Sequence, residues 1–135
     1  MHRFKDLRVW QLSREMTRHV YTLSSSFPEE ERFGLQSQIR RAASSVMLNI
    51  AEGAGRSSGL DFARFLDAAV GSANEVQTVL IIAFDQGYIN QETLDDLEAE
   101  LLSIRNMIFK LQQSLRSSRG RVREDAEQYL AGPNT

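Results

Sequence analysis

Between positions 94 and 115 the apolar residues Leu94, Leu97, Leu101, Ile104, Ile108, Leu111 and Leu115 alternate steps of three and four without a break. Residues spaced in this way stack on one helical face and run like the seam of a coiled coil, so the segment must be a long helix burying one stripe. A second row, Phe62, Leu66, Ala69, Ala73, Val76, Leu80 and Ala83, obeys the same rule. No strand-like alternation competes with either row, and two such seams in one short chain point to helices packed on helices.

Two further segments complete the pattern. Val9, Leu12, Met16, Val20, Leu23 and Phe27 recur at helical spacing, as do Leu35, Ile39, Ala42, Val46 and Ile50. The breakers between segments are short. Ser24-Ser25-Ser26-Phe27-Pro28 ends the first helix, and Pro28 with Glu29, Glu30 and Glu31 suits the opening turn of the second, which Gly34 kinks or resets. Gly53-Ala54-Gly55 loosens the second helix, Ser58 with Asp61 resembles a capping box for the third, Gly87 stops the third, and Asn90 caps the fourth. Connections this short join antiparallel neighbours. The prediction is an all-α, antiparallel up-down-up-down four-helix bundle over residues 1–116, with helices at about 6–26, 28–55, 59–87 and 90–116. Past Leu115 the pattern fails, and 117–135 reads as a polar tail with at most a turn or two of helix.

A chain of 135 residues with 41% apolar and 25% charged residues can bury one core, and one domain is expected. It has no cysteine, which removes disulfides, thiolate chemistry and Cys-ligated zinc. No stretch reads as a membrane span or a secretory leader, so the expected location is the cytoplasm, with no membrane partner. The net charge of −2 lacks the strong basic balance of a dedicated nucleic-acid-binding domain. Charge is nevertheless segregated. Residues 1–27 carry Arg3, Lys5, Arg8, Arg14 and Arg18 against Asp6 and Glu15, whereas 85–100 carries six carboxylates and no Lys or Arg. Such regions suit a polyanion ligand or head-to-tail self-association.

Catalytic constellations are missing. The Glu-x-x-His pairs of di-metal carboxylate bundles do not occur, and Glu15 with His19 reads as a surface pair. The serines cluster in turns, and neither histidine has the setting of a general base. The run from Glu52 to Gly59 lacks the Gly-Lys-Ser/Thr ending of a phosphate loop and lies between helices, although Arg56 and Arg64 leave weak anion binding open there. We therefore expect no enzyme, no cofactor and no metal.

Three surface features remain. Ala42-Ala43-Ser44-Ser45 and Ala68-Ala69 with Gly71-Ser72-Ala73 lack bulk, so close helix approach is expected, with Gly71 making room for a neighbour and Asn49, Glu52, Asn74 and Glu75 joining a structural hydrogen-bond network. Phe65, Val79 and Ile82 form an apolar strip beside the seam of the third helix, the expected meeting place of subunits. Helical-wheel counting sets Leu7, Gln11, Arg14 and Arg18 opposite the core stripe. With Arg40 and Arg41, and a second basic run at Arg116, Arg119, Arg121 and Arg123, Arg14 and Arg18 are the candidate contacts to a phosphate backbone. No interleaved aromatics suggest base stacking.

Phe4-Lys5-Asp6-Leu7, Val9-Trp10-Gln11, Phe27-Pro28 and Glu31, Phe33-Gly34-Leu35-Gln36-Ser37-Gln38-Ile39-Arg40-Arg41-Ala42-Ala43, Ser45-Val46, Asn49-Ile50-Ala51-Glu52-Gly53 and Gly71-Ser72 before Glu75, in this order, resemble the four-helix-bundle proteins encoded in intervening sequences of bacterial 23S ribosomal RNA genes. The resemblance covers roughly residues 4–112. It implies a ring-shaped homopentamer without enzymatic activity, and Asn49, Glu52, Gly71, Ser72 and Glu75 match the family's signature. A related group, the accessory proteins of diversity-generating retroelements, binds nucleic acid and a reverse transcriptase through basic surface. The implied partners are thus further copies of the chain, RNA or DNA, and a reverse transcriptase or other ribonucleoprotein; the alternative is a protein-interaction scaffold that binds no nucleic acid.

Overall fold

The structure, a computed structural model, describes residues 2–117. The predicted tail beyond Ser117, with Arg119, Arg121 and Arg123, lies outside the described residues. Four helices, α1 (Arg8–Ser24), α2 (Leu35–Ala54), α3 (Gly59–Asp85) and α4 (Gln91–Ser117), form the described part with two 3-10 turns, Phe4–Asp6 and Glu29–Glu31, and no β-strand. Each helix packs on its sequence neighbours, and α1 against α4 closes the ring. This is the all-α, antiparallel four-helix bundle that the seams predict.

The helix ends follow the local chemistry. Ser58 Oγ accepts from the Asp61 backbone N–H at 3.0 Å, and Asn90 Oδ1 from that of Thr93 at 2.8 Å, so each satisfies an orphan donor of the first turn. At the end of α3, Gly87 adopts a φ of 80°, and Gly87 N–H and Tyr88 N–H return to Phe84 O and Ala83 O. That pairing is the Schellman stop, which needs the left-handed conformation glycine takes freely.

The second helix corrects the predicted start at 28. Pro28 holds an extended ψ of 149°, Glu29–Glu31 form a separate 3-10 turn, and Gly34, with φ −107° and ψ −109°, breaks the chain again before Leu35. Glu31 then closes the break: its Oε1 accepts from the Leu35 N–H and its Oε2 from the Tyr88 hydroxyl, both at 3.2 Å. One carboxylate thereby ties the α1–α2 connection to the α3–α4 connection.

The core holds both predicted seams, with Leu66, Leu80, Leu101, Ile104, Ile108 and Leu111 buried against Val9, Met16, Ile39 and Ile50. Each large side chain removed from water in this way contributes roughly 1.5–3 kcal/mol relative to exposure. Gln112, the one buried long polar side chain among the described residues, donates from Nε2 to Ala63 O at 3.0 Å and Asp67 Oδ1 at 2.6 Å. Among the described residues no buried side-chain nitrogen or oxygen lacks a partner.

Three expectations are corrected by this packing. Leu7 does not lie opposite the core stripe; it is fully buried, because the 3-10 turn and its own extended backbone (ψ 125°) place it ahead of α1 and off the helical wheel. Val79 cannot serve a surface strip, since it is 1% exposed within the core, leaving Ile82 outside at 40% and Phe65 half-buried. Gly71 makes room for no neighbour within the chain: a Cβ built there meets nothing within 4 Å. Gly53, by contrast, is crowded by the neighbouring helix.

Candidate nucleic-acid interface

On α1, Arg14 and Arg18 are exposed and one turn apart. The Arg14 guanidinium carbon stands 6.0 Å from the Trp10 ring centre, and Arg18 Nη1 lies 3.6 Å from Glu15 Oε1 in an exposed pair. Glu15 is thus engaged by Arg18, and His19 reaches across to α4 instead, its Nδ1 2.9 Å from both carboxylate oxygens of Glu100. The expected Glu15/His19 pairing does not form. Among the described residues no three His, Asp or Glu side chains gather in a way that would hold a metal ion.

Arg40 and Arg41 are adjacent in sequence but do different things. Arg40 Nε donates to Ser24 Oγ at 2.9 Å, and its Nη2 donates to Tyr21 O and Ser25 Oγ, both at 3.2 Å. Its guanidinium carbon also sits 4.7 Å from the Tyr21 ring centre. These contacts cap the carbonyl end of α1, where a cation is favoured, so Arg40 is first a structural residue. Arg41, one residue further round α2, is exposed and forms no ion pair with any described residue.

Between these helices lies an open depression of about 420 Å³ lined by Tyr21, Arg32, Phe33, Gln36, Ser37, Arg40, Arg41 and Ser44. Its lining holds three arginines and no carboxylate. Phe33, in the turn before Gly34, is 88% exposed, and the Arg32 guanidinium carbon lies 5.4 Å from its ring centre. Aromatics therefore do stand among the cations, against the expectation from sequence.

The α2–α3 face differs. The hydroxyls of Ser45 and Ser72 lie 2.8 Å apart across the two helices, and Asn49 Nδ2 donates to Ser45 O at 2.9 Å and Ser45 Oγ at 3.1 Å. The small residues do bring the backbones close here. Of the four polar residues assigned to a network, only Asn49 joins this one, together with Ser45 and Ser72. Glu52 pairs with Arg56 at 3.4 Å on the surface, while Asn74 and Glu75 are exposed and their side chains bond to no described residue. The anion site considered near Arg56 is occupied by the protein's own charges: Arg56 also lies over Phe65 at 4.5 Å, and Arg64 donates to Asp61.

Residues 5–110 match the family described as 23S rRNA-intervening sequence protein. The chain belongs to that family. Its fold is shared by a crystal structure of a protein of unknown function from the S23 ribosomal protein family of Bacteroides thetaiotaomicron, with a TM-score of 0.72 and 24% identity over 78% of this chain and 98% of that one. No curated protein matches it. In this intervening-sequence protein the matched segment holds the whole of the α1–α2 depression as well as the Ser45–Ser72 contact. No described helix is long and apolar enough to cross a membrane.

Sequence reasoning missed Arg32, Phe33 and Tyr21. The signal available was an aromatic residue beside an arginine in a turn, between a proline and a glycine, where no apolar stripe claims it. Tyr21 carried no such signal, because only the seating of Arg40 on its ring draws it into the depression.

Proposed function

We propose that this intervening-sequence protein is a non-enzymatic, self-assembling helical bundle that binds the backbone of RNA or DNA through the outer face of α1 and α2, as an accessory to a ribonucleoprotein. The observation that carries the reading is that Arg8, Arg14 and Arg41 are exposed with no carboxylate partner among the described residues. Arg18, held by one exposed ion pair, is readily drawn to a phosphate, because such pairs contribute little. Cations kept free of internal partners release counterions when they meet a polyanion, which is the main source of non-specific nucleic-acid affinity.

Self-assembly is supported by apolar side chains left in water: Leu48 at 63% exposure on α2 and Leu60 at 62% at the start of α3, with Ile82 exposed towards the other end of α3. A ring of five copies follows from the family resemblance. Light scattering tests it, and a monomer at micromolar concentration would remove this part of the proposal.

Binding is tested by titrating labelled RNA and DNA at several salt concentrations. Arg14→Ala together with Arg18→Ala should weaken binding and flatten the salt slope by roughly 1.4–1.8, two phosphate contacts' worth. Failure of the wild-type protein to retain either nucleic acid at low salt would sink the reading. The self-assembled scaffold without nucleic acid would then remain.

A further inference from the structure

Phe33 has nothing to do in the fold. It points into solvent from a turn whose geometry is set by Pro28, Glu31 and Gly34, and the apolar stripe of α2 begins only at Leu35. An aromatic face left in water beside three guanidiniums has a chemically specific complement: a flat π-system that carries negative charge nearby. A nucleotide has both.

We propose that the depression between α1 and α2 is a nucleotide subsite, which stacks one unpaired base of a single strand on Phe33 and receives its phosphate on Arg41 and Arg32. The proposal rests on the nucleic-acid reading above and adds to it a preference for single strands. A duplex presents only base edges and phosphates, whereas the exposed ring face of Phe33 can be used only by a base that has left its stack.

The surrounding groups fit this ligand. Arg40 is fixed by three hydrogen bonds to the end of α1 and its cap residue Ser25 and by the Tyr21 ring, so a stationary positive charge borders the site without needing to reorganise. Glu31, the nearest acid in the chain before Arg32, is turned away to the Leu35 N–H and the Tyr88 hydroxyl. Glu29 reaches Arg32 only at 3.8 Å in an exposed pair, a contact that a phosphate displaces. The volume of about 420 Å³ lies in the range of small-ligand sites. A protein surface fits less well, because covering three guanidiniums requires carboxylates placed to meet each of them.

The test uses fluorescence anisotropy of the full chain with a labelled twelve-nucleotide uridine strand, the matching thymidine strand and a twelve-base-pair RNA duplex, at fixed low salt. Phe33→Ala should lose roughly 5- to 100-fold in affinity for the single strands, with the salt slope and duplex binding unchanged. Phe33→Trp should keep the affinity, and its added fluorescence should be quenched as the strand binds. Equal loss on both single strands marks a site for either sugar, and loss on one alone assigns the subsite to RNA or to DNA. Phe33→Leu, which keeps apolar bulk without a π-face, should behave as Phe33→Ala; if it restores binding, the stacking proposal is wrong. A change in molar mass of Phe33→Ala by light scattering would reassign the patch to contact between copies and overturn the subsite. If Phe33→Ala binds like wild type while the Arg14/Arg18 double variant does not, the subsite falls and the backbone reading stands. If the wild type binds no strand, both fall.

Discussion

Gly53 on α2 lies directly against Phe62 on α3: a Cβ built on it would stand 2.8 Å from Phe62 Cδ1 and 2.9 Å from the Cβ of Phe65. Neither neighbour can yield cheaply, since Phe62 is buried in the core and the Phe65 Cβ is fixed to its helix. Gly53→Ala should therefore destabilise the protein by about 1–3 kcal/mol through overpacking. Gly71→Ala, with open space around the new methyl, should be stabilising by up to about 1 kcal/mol within a single subunit. Urea unfolding of the two variants beside the wild type checks the opposite signs.

Arg40→Lys should cost about 1–2 kcal/mol, because an ammonium cannot reach Ser24 Oγ, Tyr21 O and Ser25 Oγ together while lying on the Tyr21 ring. Arg41→Lys should stay within about 0.5 kcal/mol of wild type, as exposed substitutions without partners do. Equal losses at the two positions in thermal or urea unfolding would contradict the division of labour between them.

Gln112→Ala should be among the more damaging changes in α4. It removes both hydrogen bonds from Nε2, to Ala63 O and Asp67 Oδ1, and leaves a hole in the core. The expected loss is about 2–3 kcal/mol. Arg116→Ala, which removes only the exposed contact to Asp67 Oδ2 at 3.3 Å, should cost less than about 1 kcal/mol.

Tyr88 gives stability an alkaline limit. Burial holds its phenol above the ordinary value of 10.0, helped by the hydrogen bond it donates to Glu31 and by the charges of Glu31 and Glu30. The folded protein thus keeps the phenolic proton more tightly than the unfolded chain. The resulting stability is fully present below pH 10.0 and is lost as pH rises from there through the folded-state value. Tyr88→Phe should be less stable than wild type at neutral pH, and the gap should shrink above pH 10. A gap that stays constant to pH 11 would show that the Tyr88–Glu31 bond is not the source.

The bundle was legible in the sequence because helix periodicity and capping are local. The seams through Leu66 and Leu101, the Ser58 and Asn90 caps and the Gly87 stop each rest on residues within a few positions of one another. The candidate site was only half legible. Arg14 and Arg18 stand outside as helical counting indicates, and Arg41 is exposed as well, but Arg40 is taken up by carbonyl and hydroxyl groups at the end of α1 and its cap that lie 15 to 19 positions away. Phe33 escaped because no periodicity applies in a turn.

What the sequence by itself determined is therefore which side of each helix is apolar and where each helix stops. Only the tertiary structure decided which glycine is crowded, that Leu7 and Val79 are inside, and which arginines remain free to meet a ligand. The physical reason is that periodicity describes a side chain relative to its own helix axis, whereas crowding and pairing depend on how far neighbouring helices are rotated and how closely they approach. The sequence reads Gly53 as a loosened helix end and Gly71 as the place of close approach, and the bundle reverses this by setting Phe62 against the first and nothing against the second.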